Sequence, residues 1–478
     1  MIEPTLMPYL SLFIGALLLL IISLLRSPAN PWKVILIASA FVFSAVLSMV
    51  ALDVSFESIK GVLLYDKYGQ WFGVLLLLLL LVHVWVVPFY SNTILVKPSI
   101  VIALLLISAS GGLYMIFSNH LAMSFVGIEL LWLPQYILIG VGNNQVKGSE
   151  AAFKCYLIGA VASALFLYGA GLVWASTGSL NMQEIYNIFQ SPLTLTLPKT
   201  FWLGLALMIG SLLFRLGAFP FHLSAPDMYE AAPAVINPWL ASSSMIAMVG
   251  FLLRFMQEVT IGQWNAINPA TSGWAMTIGM LSVLSMYWGS LGSFSQRNVK
   301  RLLGYVTVTY VGYLLMFLST SSGLSVHRCF QVLFFYVCIY GFTQCILFMT
   351  LAHTERFGEI SLDYLKGVLA KSPVTASILI IGLFSLAGIP PLGGFMALFS
   401  LFYHVIEQGN VYLVLLAVLA NVILLTGLLK IIGVLFSYDK SAVFASVVKR
   451  REPWVLSLLA FLIIAVGIMP HLITNWLR

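Results

Sequence analysis

Five residues stand where their chemistry is hardest to accommodate. Glu129, Lys154, Arg215, His222 and Lys430 all fall within or beside apolar runs. A charged side chain at mid-membrane costs at least a few kcal/mol, so each is a functional candidate by default. Glu129 has apolar-rich sequence on both sides, from Leu121 to Val141. Unpaired, a buried carboxyl takes up a proton. Beside a cation it ionises, and there it either exchanges protons or serves as a structural carboxylate. Lys154 either titrates under burial or snorkels to the surface on its long stem. Arg215 stays charged at any accessible pH. It can fix and ionise Glu129 but cannot pass on a proton. His222 either titrates near neutrality or serves as a cap or core histidine. Lys430 and His404 are candidates to line an exit path. His83 reads as a packing histidine, Asp227 and Glu230 as a loop-anchoring pair, and Lys300 and Arg301 as anchors at a helix edge.

The elements that carry these residues are membrane spans. The 478 residues are 61% hydrophobic and 8% charged, against roughly 25% charged in a soluble protein. One apolar core cannot absorb that excess in water, and a bilayer span needs about 20 mostly apolar residues. The runs predict spans near Leu6–Leu25, Val34–Leu52, Gln70–Val87, Ile100–Phe117, Leu121–Val141, Ala151–Ala175 and Phe201–Phe221. Seven more lie near Trp239–Met256, Gly273–Leu291, Leu302–Thr320, Phe330–Leu351, Val374–Phe402, Tyr412–Phe436 and Trp454–Trp476. The fold expected is therefore an all-α polytopic membrane protein of about fourteen transmembrane helices. The first run lacks a basic leader and a cleavage site, so it reads as a retained helix.

Two spans read as broken, the seventh at Leu216-Gly217-Ala218-Phe219-Pro220-Phe221-His222 and the twelfth at Ala387-Gly388-Ile389-Pro390-Pro391-Leu392-Gly393-Gly394-Phe395. Proline removes an N–H and glycine relaxes the backbone. Loosened backbone at membrane depth survives only inside protein or beside a water-filled cavity. Either break alone is a simple kink, but a matched pair points to a transporter pathway built from repeats. With the N-terminus outside, Lys and Arg divide roughly fourteen inside to six outside, a positive-inside bias that also puts the C-terminus outside.

The net charge of +7 is scattered along loop edges and forms no nucleic-acid stripe. Cys155, Cys329, Cys338 and Cys345 show no metal-ligand spacing and read as small packing residues. No phosphate loop, haem or iron–sulfur signature is present. The expectation is no metal and no cofactor on this chain.

Several segments together resemble subunit N of bacterial complex I, in the antiporter-like superfamily. They are Asn119-His120-Leu121-Ala122 through Gly127-Ile128-Glu129-Leu130 and Leu133-Pro134; Ser149-Glu150-Ala151-Ala152-Phe153-Lys154; and Thr177-Gly178-Ser179-Leu180-Asn181. The others are Phe219-Pro220-Phe221-His222 through Ala225-Pro226-Asp227-Met228-Tyr229-Glu230; Asn298-Val299-Lys300-Arg301-Leu302-Leu303-Gly304-Tyr305; and Ser385-Leu386-Ala387-Gly388-Ile389-Pro390-Pro391. The likeness covers about residues 100 to 435.

The resemblance implies two inverted five-helix repeats, residues 100–256 (helices 4–8) and 257–437 (helices 9–13). Three helices precede them in residues 1–99 and one follows in 438–478. It implies a membrane-arm subunit that couples quinone reduction elsewhere to proton translocation, in a hetero-oligomer of the bacterial inner membrane with other complex I membrane-arm subunits. A related hydrogenase, a cation/proton antiporter, an inorganic-carbon uptake complex, or a structural subunit that has lost transport is the alternative. Glu129 matches the family's key glutamate and Lys154 its helix-six lysine. Four positions depart. The family usually has lysine at Arg215, within Ser243-Ser244-Met245, and at Ala397, and histidine at Tyr310. Two expectations follow: Glu129 pairs with Arg215, directly or through one water, and the relay is interrupted near Met245 and Ala397.

Overall fold

In a bilayer core there is no water to satisfy a backbone group, so a spanning chain pairs its N–H and C=O groups within its own segment. The computed structural model describes residues 4–24, 30–51, 56–58, 61–90, 93–142, 145–190, 198–255, 273–321, 325–355, 360–437 and 453–469, and these are overwhelmingly helical. Arg26, Lys60, Arg356, Lys440, the Lys449–Arg451 cluster and Arg478, all used in the charge count, lie outside the described residues. So does the fourteenth run beyond residue 469.

The helices are α1 (Met7–Leu24), α2 (Pro31–Val50), α3 (Lys67–Val86), α4 (Pro98–Phe117), α5 (Leu121–Gly140), α6 (Gln145–Thr177), α7 (Met182–Gln190), α8 (Lys199–Leu216), α9 (Ser224–Ala231) and α10 (Asn237–Phe255). They continue with α11 (Gly273–Ser295), α12 (Val299–Thr320), α13 (Val326–Leu351), α14 (Val368–Lys371), α15 (Pro373–Ala387), α16 (Gly393–Glu407), α17 (Val411–Phe436) and α18 (Pro453–Ile468). Among the described residues, 11 helical segments are long and apolar enough to cross a membrane, and three shorter apolar helices accompany them. The chain is a multi-pass membrane protein. One short antiparallel hairpin, β1 (Phe56–Ser58) with β2 (Leu63–Tyr65), was not anticipated from the hydropathy pattern.

Two compact units form. The first comprises Met1–Val141, Gln145–Leu216 and Ser243–Ser272; the second comprises Gly142–Asn144, Gly217–Ser242 and Gly273–Arg478.

In the first unit, glycines set the helix spacing that the site needs. A Cβ on Gly127 of α5 would meet the Met115 backbone of α4, and one on Gly111 of α4 would meet the backbone of Leu130 and Leu131. Gly169 on α6 and Gly204 on α8 each face the other's backbone in the same way. Close backbone approach of this kind is how membrane helices pack without a hydrophobic driving force between them. The Ser211 hydroxyl on α8 then donates to Ala162 O on α6 at 2.6 Å. That bond brings Arg215, one turn further along α8, beside Ser163.

The two expected breaks are present. α8 stops at Leu216, Gly217 adopts φ +67°, and a 3-10 turn at Phe221–Leu223 leads into α9. α15 stops at Ala387, Gly388 adopts φ +70°, and α16 begins at Gly393. A side chain with a Cβ disfavours this left-handed region, which explains glycine at both ends. Each left-handed glycine is followed three residues later by a cis proline, Pro220 and Pro391. One boundary differs from the sequence reading. α6 begins at Gln145, within the polar stretch, so Lys154 lies more than two turns inside its helix rather than one.

Candidate ion-pathway site

Glu129 and Arg215 meet directly. Arg215 Nη2 donates to Glu129 Oε1 at 2.7 Å. The arginine side chain is 1% exposed and the glutamate 23%. Both belong to the first unit, on α8 and α5. Arg215 sits in the last turn of α8, where the negative end of the helix dipole favours a cation.

Ser163 on α6 completes the cluster. Arg215 Nη2 also donates to Ser163 Oγ at 2.5 Å, and Ser163 Oγ lies 2.5 Å from Glu129 Oε1 and 2.9 Å from Gly159 O. A hydroxyl has one proton, so it serves the carboxylate or the carbonyl at any moment. Trp132 covers the guanidinium with its ring centroid 5.3 Å from Arg215 Cζ, a cation–π contact. Gly159 leaves room for the Tyr136 hydroxyl, which a Cβ there would displace. Trp132 and Tyr136 follow Glu129 by three and seven residues, the spacing that shares one helix face. This spacing is legible in the sequence. Ser163, on a different helix, gave no such signal.

α5 carries a second polar group in the same unit. Gln135 Nε2 donates to Ser243 Oγ at 3.1 Å, and its Oε1 accepts from Ser244 Oγ at 3.1 Å. Ser108 Oγ donates to Leu131 O at 2.9 Å beside it. At the place where the resemblance implies lysine, this chain has hydroxyls and an amide, with Met245 buried next in sequence. None of these groups titrates at neutral pH.

The other three candidates do not join the Glu129 cluster by any described hydrogen bond or ion pair. Lys154 is about half exposed and pairs with Glu150 one turn earlier, at 2.6 Å. In the second unit, His222 is buried, stacked on Phe219 at 5.5 Å and edge-on to Trp288 at 5.1 Å. Neither ring nitrogen has a hydrogen-bond partner of good geometry among the described residues. Lys430 is exposed on α17. It bonds the Phe294 carbonyl in the last turn of α11 and lies 3.6 Å from the Phe294 ring centroid. His404 Nδ1 contacts Ser400 O at 2.7 Å on its own helix.

Two further buried ion pairs were missed from sequence. Arg254, near the end of the predicted span Trp239–Met256, is 4% exposed and binds Asp66 at 2.5 Å, with Leu64 O at 2.8 Å. Lys300, read as an edge anchor, is 4% exposed. Its Nζ donates to Glu355 Oε1 at 2.6 Å and to Ala232 O at 2.8 Å, while Glu355 Oε2 accepts from Ala234 N at 2.8 Å. That clamp fixes the short link between α9 and α10. Arg301 pairs with Asp227 at 3.0 Å and Glu230 at 2.9 Å, the anchoring expected of that pair.

Residues 118–426, which hold all five candidates except Lys430, match the model of the NADH:quinone oxidoreductase/Mrp antiporter transmembrane family. The chain belongs to that family. It is 33% identical over 374 residues to NADH-quinone oxidoreductase subunit N of Francisella tularensis subsp. holarctica, covering 77% of this chain and 75% of that protein. It is 31% identical over 440 residues to NADH-quinone oxidoreductase subunit N 1 of Rhizobium meliloti, covering 92% and 89%. Among solved structures it is similar to a chain of respiratory complex I from Thermus thermophilus, with TM-score 0.79, 25% identity and 99% of each chain covered. A chain of the Mrp complex from Dietzia shares the fold, at TM-score 0.81 and 17% identity over 100% of this chain and 96% of that one.

Proposed function

We propose that this chain is a membrane-arm subunit of a proton-translocating NADH:quinone oxidoreductase, coupling quinone reduction on other subunits to proton movement, with a degenerate relay of its own. The carrying observation is the Glu129–Arg215–Ser163 cluster, a charged group at span depth in a chain of this family. The relatives named NADH-quinone oxidoreductase subunit N support the oxidoreductase over a separate antiporter. Residues 100–256 and 257–437 are the two proposed inverted repeats, with 1–99 and 438–478 as flanking helices. The equal spacing of left-handed glycine and proline at the two breaks supports this division. The proposed location is the bacterial inner membrane with both termini outside. The sequence offers no ligand spacing for a redox centre, so the electron chemistry belongs to partner subunits.

Two half-paths make up the proposed ion route. One surrounds Glu129 and Lys154, with Arg215 as a fixed charge. The other surrounds Lys430 and His404, with His222 as the titratable group after the first break. Met245 and Ala397, both buried, carry no proton, which supports an interruption between them. Purification through a tag on this chain tests the assembly. Co-purifying iron–sulfur subunits are expected; antiporter subunits alone would sink the oxidoreductase reading. Within the assembly, Glu129→Gln is expected to leave the protons moved per electron pair unchanged. A clear drop with assembly intact would show that the native chain conducts by its own relay.

A further inference from the structure

Carbonyls released by a helix break are a resting place for a cation in a membrane. They form the negative end of a helix dipole and have no water to bond. In the second unit these carbonyls are already occupied. Tyr310 Oη donates to Leu386 O at 2.7 Å, and Asn421 Nδ2 donates to Ala387 O at 3.1 Å. Leu386 and Ala387 are the last two residues of α15, immediately before Gly388.

Both capping groups are themselves held. Tyr336 Oη donates to Tyr310 O at 2.6 Å. The Tyr310 ring stacks on Tyr336 with centroids 5.8 Å apart and leans on Tyr340 at 5.1 Å. Tyr313, three residues after Tyr310 on α12, donates to Asn421 Oδ1 at 3.3 Å. The asparagine amide therefore uses its oxygen and its nitrogen at once, which fixes its orientation. All four tyrosines are at most 4% exposed. Phenol and amide are neutral, and a hydroxyl with an ordinary pKa near 10 is a poor proton carrier at pH 7.

We propose that this network is a seal. Tyr310 and Asn421 act as positioning residues that occupy the carbonyls freed at the second break and exclude protons and cations from it, so the break itself carries no ions. This deepens the functional reading above and rests on it for the assembly in which the seal operates.

The whole assembly carrying Tyr310→Phe or Asn421→Leu is reconstituted in sealed vesicles. Two quantities are read: passive proton leak without substrate, and protons moved per electron pair corrected for that leak. Each substitution is expected to raise the leak about five- to tenfold, the population change that follows loss of one net hydrogen bond, at an unchanged ratio. The two variants release different carbonyls, so a failure of one to assemble leaves the other to decide. An unchanged leak in the assembled variants overturns the seal. A fall in the ratio at constant leak also overturns it, because Tyr310 or Asn421 would then carry protons. The leak needs no electron donor. Failure of the oxidoreductase reading would show in subunit composition, and failure of the seal only in the leak.

Discussion

In the first unit, α5, α6 and α8 are joined by an ion pair at 2.7 Å with a serine hydroxyl on both partners. In the second, α12, α13, α15 and α17 are joined by tyrosine hydroxyls and one asparagine amide. Both solve the same problem, which is how to satisfy polar groups where water is absent. The charged solution is strong only while both partners remain, because a lone buried charge is costly. The neutral solution has smaller individual bonds but leaves no charge behind when one is lost. At the Glu129 cluster the loss of one partner therefore strands a charge, while at the second break it does not.

The largest expected effect breaks the charged side of this comparison. Arg215→Met should destabilise the chain by about 3–5 kcal/mol, since Glu129 would lose its buried partner. Adding Glu129→Leu should recover most of that loss, because removing both charges removes the desolvation cost with the attraction. Denaturant midpoints of the chain in detergent would measure both. A double variant as unstable as the single would mean that helix packing, not the ion pair, sets the cost.

Ser163→Ala probes the hydroxyl shared by the pair and should cost about 1.5–3 kcal/mol, the range for a bond to charged groups. The same midpoints apply. A value within error of wild type would show that Arg215 and Glu129 hold each other without it, and the contrast with the tyrosine network would sharpen to charge alone.

The smallest effect is local and pH-dependent. His120 caps α5 by accepting from Ala122 N at 3.3 Å through Nδ1. Burial lowers its pKa from the ordinary 6.5, with Glu184 acting in the opposite direction. A histidine whose folded pKa is depressed favours the neutral folded form. Its contribution is present above about pH 6.5 and is lost as pH falls toward the folded value. Protonation also removes the lone pair that accepts the cap bond. The protection of the Ala122 amide, its exchange taken relative to the intrinsic rate at each pH, should fall on acidification, with a cap's worth of about 1 kcal/mol as the ceiling. Protection that stays flat from pH 8 to 5 would remove His120 from the list of groups that hold the first unit's helices in place.

Sequence alone determined the class of molecule. A chain that is 61% hydrophobic and 8% charged belongs in lipid, and apolar runs of about 20 residues select helices over a closed barrel. The two breaks were legible because glycine and proline act locally, and Gly217 and Gly388 indeed take positive φ. The Glu129–Arg215 pair was legible because two unlike charges in apolar runs have few ways to be tolerated. Only the tertiary structure decided the rest. Ser163, Asp66 and Glu355 are ordinary residues in sequence, and each matters because a helix or loop far along the chain brings a charge within hydrogen-bond reach. Lys300 looked like an edge anchor, since hydropathy cannot tell a surface cation from one that meets a distant carboxylate such as Glu355. By residue type Tyr310 is a lost histidine; in the fold its hydroxyl caps the Leu386 carbonyl. A hydrogen bond depends on position to within a few tenths of an ångström, and no pattern of residue types along one chain fixes distances that finely.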